Sequence, residues 1–285
     1  MKKKYILLLF LIFVVKFYAQ NKLEKNNYKF TYNYTYQIDS TDINYTKTVE
    51  LLLYVTNKKS VFYSKSKAIR DSIFKGMTVK EAGGREGLNS LLKQARNAGA
   101  KKIYYHKTII KDRITLGLIY YEKIFHNLYT YKENYILPWK LVTGNKEIAG
   151  YNCYKALLSY AGRDYIAWYT TAIPISDGPE KFRGLPGLIL EVYDTKNQHH
   201  FTINKISKST ANFPTIPKRN LVKITPRKLF KERITSRKEM IKTVLMMTSN
   251  VSPEQKNALK KRNRRNNNPI ELKFDYYIDP KENTK

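Results

Sequence analysis

From Tyr28 to Gln37 the chain alternates aromatic and polar residues without a break. Tyr28, Phe30, Tyr32, Tyr34 and Tyr36 stand between Lys29, Thr31, Asn33, Thr35 and Gln37. Strict period two predicts a β-strand with every ring on one face. That face either packs on the core or lines a cavity for a hydrophobic ligand. Shorter apolar and β-branched runs predict further strands at Thr48–Tyr54, Val61–Ser66, Ile103–Ile110, Ile114–Tyr121, Leu128–Glu133, Tyr151–Ser159, Asp164–Thr171, Leu188–Tyr193, Phe201–Ile206 and Ile270–Ile278. Many short strands with tight connections predict a mainly antiparallel sheet. The strands at Tyr151–Ser159 and Asp164–Thr171 read as a hairpin with Gly162 in its loop.

Helical periodicity is rarer. Leu88, Leu91, Leu92 and Ala95 share one helical face, and Gly99 follows as a stop. Thr225-Pro226 is an N-cap followed by proline at the first helical position. Leu229, Phe230, Ile234, Ile241 and Leu245 then predict an amphipathic helix whose other face is basic. Ser252-Pro253-Glu254-Gln255 is a second start signal, with Gln255 placed to close a capping box. Residues 207–224, with Pro214 and Pro217, read as a loop.

Lys2, Lys3 and Lys4 precede an apolar run, Tyr5–Val15, and Ala19-Gln20 follows. This is the pattern of a secretory signal peptide cleaved after Ala19. The run is shorter than the roughly 20 residues that span a bilayer, and no later stretch qualifies. The chain is therefore expected to be exported to the periplasm or cell surface as a single domain, residues 20–285, with no transmembrane span. The lone cysteine, Cys153, permits no internal disulfide. It reads as a small buried residue on a strand, the alternative being a reactive thiol.

Gly184-Leu185-Pro186-Gly187-Leu188-Ile189 is the sharpest local motif. Pro at the second and Gly at the third position of Leu185–Leu188 fit a type II turn, Gly187 taking positive φ. The plain reading is a tight turn feeding a core strand. The functional reading is that Gly184 and Gly187 let a ligand or partner approach the backbone. The hexapeptide resembles the signature of the GLPGLI family of Bacteroidetes envelope proteins. Ile148–Ala156, Ala167-Trp168-Tyr169-Thr170, Ile173–Pro179 and Asn268-Pro269-Ile270-Glu271 resemble that family's core in the same order. The resemblance implies an envelope protein of no settled activity. The Gly150–Ala156 and Ala167–Thr170 pair also resembles strands of LolA-like envelope carriers, which implies a large curved antiparallel sheet or half-barrel covered by a few helices around an apolar cavity.

The formal net charge of +30 changes the picture of partners. Residues 205–265 hold 18 Lys or Arg against Glu232, Glu239 and Glu254, and Lys260–Arg265 is a dense basic run. Such a run is either a solvated helix end or an attachment to an anionic membrane surface or an acidic envelope partner. Export and the lack of a nucleic-acid module argue against nucleic acid.

Catalytic patterns are missing. The four histidines show no helical metal spacing, and one cysteine makes no thiolate cluster. No nucleophile elbow or zincin motif occurs. Asp164, Asp177, Glu180, Glu191 and Asp194 read as turn and exposed strand positions. No metal or cofactor is implied. The favoured reading is a non-enzymatic binding protein for an apolar or lipid-like ligand. Its candidate ligand residues are Tyr32 and Tyr34 on the aromatic face, and Trp168, Tyr169, Phe182, Arg183, Gly184 and Gly187 around an exposed rigid loop. Lys261, Arg262, Arg264 and Arg265 are the candidate anionic-surface residues. The alternatives are an accessory interaction protein in envelope assembly or outer-membrane transport, and an envelope hydrolase with a dispersed site.

Overall fold

The computed structural model describes residues 27–75, 77–78, 80–209, 221–247, 252–254, 257–258 and 268–273. The expected leader, Gln255, the basic residues Lys261, Arg262, Arg264 and Arg265, and 274–278 lie outside the described residues. Among the described residues the fold is mainly β, with three helices. The strands are β1 (Tyr28–Gln37), β2 (Thr46–Val55), β3 (Lys59–Ser64), β4 (Lys107–Asp112), β5 (Leu118–Ile124), β6 (Asn127–Glu133), β7 (Lys140–Ile148), β8 (Tyr151–Tyr160), β9 (Arg163–Thr170), β10 (Leu188–Asp194), β11 (His199–Lys208) and β12 (Leu221–Lys223). The helices are α1 (Lys65–Phe74), α2 (Gly84–Asn97) and α3 (Pro226–Met247).

All twelve strands join one open sheet in the order β12-β6-β5-β4-β3-β2-β1-β11-β10-β9-β8-β7. Every pairing is antiparallel except β12 on β6. Its inner face carries Phe30, Tyr32 and Tyr34 from β1, Leu51 and Leu53 from β2, Phe62 from β3 and Phe201 from β11, all buried. On the outer face a smaller cluster of Leu52, Val61 and Tyr63 packs beside Ala68 of α1. α2 contacts α1. Among the described residues no helix is long and apolar enough to cross a membrane.

Local chemistry explains where the sequence expectations shift. β5 begins at Leu118 rather than Ile114 because Asp112 accepts hydrogen bonds from the backbone N–H groups of Ile114 (2.9 Å) and Thr115 (2.8 Å). That Asx turn takes residues 113–117 out of the ladder. α1 was not expected from periodicity, since in its ten residues only Ile69 and Ile73 stand one turn apart as an apolar pair. It is started by Ser64, whose hydroxyl accepts from the Lys67 N–H at 3.4 Å. β7 was also unexpected. It is an edge strand with mostly exposed side chains and a bulge at Val142/Asn145, so it lacks a clean alternation. The β8–β9 hairpin does turn at Gly162, with Ala161 at φ 53° and Gly162 at φ 80°, the double positive φ of a type I′ turn.

α3 starts as expected, with the Thr225 hydroxyl accepting from Lys228 N–H at 3.3 Å. Its packed stripe is not the one that apolar periodicity indicates. Leu229 and Ser236 are buried and Arg233 is largely so, while Ile234 is exposed. The stripe is built on an arginine, which an apolar template passes over. Residues 270–273 are not a strand. Leu272 and Lys273 N–H both donate to the Ala161 carbonyl, so the segment straps across the hairpin turn.

Candidate functional site

Residues 171–187, between β9 and β10, fold onto the inner face of the sheet. Ile175, Phe182 and Leu185 are each at most 2% exposed. Phe182 packs edge-on against Tyr165 (4.8 Å between centroids) and Phe201 (6.3 Å). Each charged residue of the segment finds a partner on the sheet or in the turn between β4 and β5. Asp177 pairs with Lys111 of β4, whose ammonium also donates to the Gly178 carbonyl at 2.6 Å. Glu180 pairs with Lys107 (2.9 Å) and accepts from the Tyr105 hydroxyl. Lys181 bridges Glu133 (2.9 Å) and Glu271 (2.5 Å). Arg183 donates to the carbonyls of Leu116 and Gly117. The segment is a charged and aromatic plug.

The plug corrects several expectations. Phe182 and Arg183 are buried, not displayed on an exposed loop. Asp177, Glu180, Glu191 and Asp194 are likewise buried and ion-paired. Burial pushes the Lys111 ammonium pKa down and Asp177 opposes this. Burial also disfavours the charge on Lys181, but Glu271, Tyr131, Tyr160 and Glu133 hold its pKa well above the ordinary value. Gly187 does not take the positive φ of a type II turn. It is Gly184 that sits at φ +96°. A Cβ on Gly187 would lie 2.0 Å from the Thr170 carbonyl oxygen. Gly187 therefore admits the chain's own backbone.

Tyr32 is fully buried. Its hydroxyl donates to the Ile189 carbonyl at 2.7 Å and its ring meets Phe62 edge-on. Tyr34 lies flat on Phe201 (4.1 Å, 5° between planes) and stacks on Tyr36 (4.9 Å). Its hydroxyl shares a 2.8 Å hydrogen bond with His199 Nδ1. Burial, then the charges of Arg163 and Lys107, holds the His199 pKa well below its ordinary value, so this imidazole is neutral at pH 7.

Beyond Tyr34 the plug leaves the inner face uncovered. A cavity of about 590 Å³ opens there, between the β1, β4 and β5 side of the sheet, α3, and the segment 268–270. Its apolar walls are Tyr34, Tyr36, Tyr104, Tyr105, Phe230 and Ile234. Its charged members are Lys107, Glu122, Arg233, Arg237 and Lys238. Glu122 accepts from Arg233 Nε at 3.0 Å on each oxygen and from the Tyr120 hydroxyl at 2.8 Å. Burial disfavours its charge, but Arg233 and Lys107 keep its pKa below the usual carboxylate value. The wall at 268–270 is itself clamped: Arg163 donates to Asn268 Oδ1 (2.6 Å) and the Pro269 carbonyl (2.8 Å), and Tyr165 to the Ile270 carbonyl (2.9 Å). The Asn-Pro-Ile-Glu motif is thus a clasp that ends in the Glu271–Lys181 pair.

Of the candidate ligand residues, only Tyr34 reaches this cavity. Arg183 and Gly184 border a separate pocket of about 100 Å³ with Lys111 and Asp177. Trp168 is on the outer face, between Lys146 and Lys155 (5.2 and 5.9 Å from its ring) and against Gly144. Tyr169 is buried on the inner face near Tyr154. Sequence reading missed Tyr36, Tyr104, Tyr105, Phe230 and Arg233. The alternation of β1 and the helical periodicity of α3 contained signals for Tyr36 and Phe230, whereas nothing local marked Tyr104-Tyr105. Cys153 is fully buried, and burial pushes its thiol pKa up to about 11. Among the described residues no three His, Cys, Asp or Glu side chains gather as a metal ion would require.

Comparison with known proteins gives a short family match and a shared fold. A family described as a protein of unknown function (Porph_ging) matches residues 161–191, a short stretch running from the β8–β9 turn through the plug into β10. It contains the Gly184–Ile189 hexapeptide. No curated protein is similar in sequence. Solved structures of PNGF-II in the P21 and C2 space groups share the fold, each with a TM-score of 0.52 and 14% identity over 74% of this chain. The chain spans about a third of the length of PNGF-II, 34% and 33% in the two structures. At that identity the likeness concerns the fold alone.

Proposed function

We propose that this protein is a non-enzymatic binding protein of the cell envelope that holds an apolar or lipid-like ligand in the cavity beside α3. The observation that carries the reading is an aromatic wall that, among the described residues, borders open space where the plug does not reach. Tyr34, Tyr36, Tyr104, Tyr105 and Phe230 border a space of about 590 Å³, within the range of small-molecule sites. Elsewhere the plug occupies that face, so the ligand site is narrower than the alternation of β1 implies. The signal-like start of the chain supports export. The basic run holding Lys261, Arg262, Arg264 and Arg265 supports attachment to an anionic membrane or an acidic envelope partner.

The hydrolase reading draws less support. The cavity does gather His106 and His199 with Glu122. Both oxygens of Glu122, the one carboxylate among the described residues lining the cavity, are however occupied by Arg233 and Tyr120. A general base needs a free acceptor within reach of substrate.

The test uses residues 20–285 and the neutral dye N-phenyl-1-naphthylamine, with native mass spectrometry for any carried ligand. Wild type is expected to bind the dye with a fluorescence rise. Tyr36→Ala and Phe230→Ala each remove aromatic surface worth ~1.5–3 kcal/mol when fully covered, so each is expected to weaken binding about tenfold or more. Absence of both dye binding and a carried ligand, or full affinity in both variants, would sink the proposal.

A further inference from the structure

The aromatic cavity does not end at Glu122. A second, more open cleft of about 730 Å³ adjoins it and shares His106, Glu122, Arg233 and Arg237. Cations converge on this cleft from four places in the fold: Arg70 from α1, Lys102 from the segment before β4, Lys123 from β5, and Arg233 and Arg237 from α3. Glu122 is the single carboxylate among the described residues lining either space, and Arg233 already engages both of its oxygens. Arg70 donates only a long 3.4 Å hydrogen bond to the Lys101 carbonyl, and its buried Nε has no hydrogen-bond partner. Among the described residues, Arg70, Lys102 and Lys123 have no carboxylate lining the cleft with them except the spent Glu122, and like charges held together repel unless an anion sits among them. Guanidinium forks and ammonium groups together suit a multiply charged oxyanion.

We propose that this cleft is the headgroup site for a phosphate-bearing amphiphile whose apolar part occupies the neighbouring aromatic cavity. The inference rests on the reading of that cavity as a ligand site, and it adds the chemical class: one molecule with an apolar body and a phosphate group a few ångströms beyond it. An apolar ligand alone would fill one chamber and leave the other unbalanced.

The experiment compares decyl phosphate with 1-decanol as displacers of N-phenyl-1-naphthylamine at low ionic strength. The proteins are wild type and a Lys102→Gln/Lys123→Gln double variant, both positions being exposed in the fold. In wild type, decyl phosphate is expected to displace the dye at about tenfold lower concentration than 1-decanol, the effect of roughly two exposed charge pairs. In the double variant that preference collapses while dye affinity stays unchanged. Equal potency of the two displacers in wild type overturns the proposal, and so does a preference that survives the substitutions. Calorimetric titration with inorganic pyrophosphate separates this inference from the reading beneath it. Should the dye not bind at all, the aromatic-cavity reading fails. Pyrophosphate binding lost in the double variant then still supports an oxyanion site, one for free phosphate. No pyrophosphate binding in that case overturns the site too.

Discussion

Replacing Gly187 by alanine separates two explanations of the hexapeptide. If Gly187 served a type II turn, the methyl would cost only the left-handed backbone, ~1 kcal/mol. The structure gives a different reason. The new Cβ would lie 2.0 Å from the Thr170 oxygen, 2.7 Å from the Thr170 carbonyl carbon and 3.1 Å from Thr171 Cα, where ordinary contact begins near 3.4 Å. All three atoms are backbone, so no rotamer relieves the clash. Relief means sliding the start of β10 more than an ångström from β9, where Leu188 pairs with Thr170 and both Leu188 and Ile189 are fully buried. Overpacking of this kind costs ~3 kcal/mol, the upper part of the usual range. For a domain of this size that lowers the melting temperature by about 6–12 °C. Gly184→Ala is the internal control. Gly184 has φ +96°, but its nearest neighbour would be Trp139 Cδ1 at 3.8 Å, so only backbone strain remains and a drop of about 2–4 °C is expected. Near-ultraviolet circular dichroism suits the measurement because the core is aromatic. A Gly187→Ala protein melting within about 3 °C of wild type, or above Gly184→Ala, would refute the close-approach reasoning.

Three further outcomes follow from the buried charges and the thiol. Asp177→Asn leaves Lys111 in the core without its counter-charge and is expected to lose ~3–5 kcal/mol in urea unfolding; a loss under 1 kcal/mol would show the plug is not held by this pair. Glu271 has its pKa lowered from 4.5 to about 2, with burial opposing and Lys181 prevailing. A depressed carboxylate pKa stabilises the fold above the unfolded value, so this contribution is complete above about pH 4.5 and lost as pH falls toward about 2. Glu271→Gln is expected to flatten the decline of the urea midpoint between pH 5 and pH 3, and an unchanged slope would contradict the pairing. Cys153 should resist a thiol reagent at pH 8 in the native state and react promptly in urea, while fast native labelling would place the thiol at the surface.

Much of the sheet was legible because strand periodicity is a local property. β1 was marked to the residue by its own alternation, and the β8–β9 hairpin by its turn glycine. What stayed hidden depended on distant partners. The acids of 177–194 look like turn and surface residues until β4, β9 and the outer-face lysine of β7 supply their counter-charges. Arg233 looks solvated until Glu122, more than a hundred residues earlier, is placed beneath it. The same cause moved the candidate site. Tyr32 and Tyr34 share one strand face, so sequence alone treats them alike. Only the path of residues 171–187 decides that the first is covered and the second borders open space. The role of Gly187 was hidden for a related reason, since a turn propensity is local while the approach of Thr170 is not.

The strand order has a consequence for synthesis. β1 to β6 form one meander and β7 to β11 another, and each can assemble from neighbours in sequence. Where the two meet, β1 pairs with β11, and Tyr34 bonds His199 from 165 residues away. That long loop must close before the joint can form, which makes it the slow step of folding. β1 is ten residues long with five aromatic rings, and its free edge waits for a partner, β11, made about 165 residues later. Unpaired edges of this kind recruit other chains. The interval between the appearance of β1 and the arrival of β11 is when a nascent molecule is most exposed to its own copies.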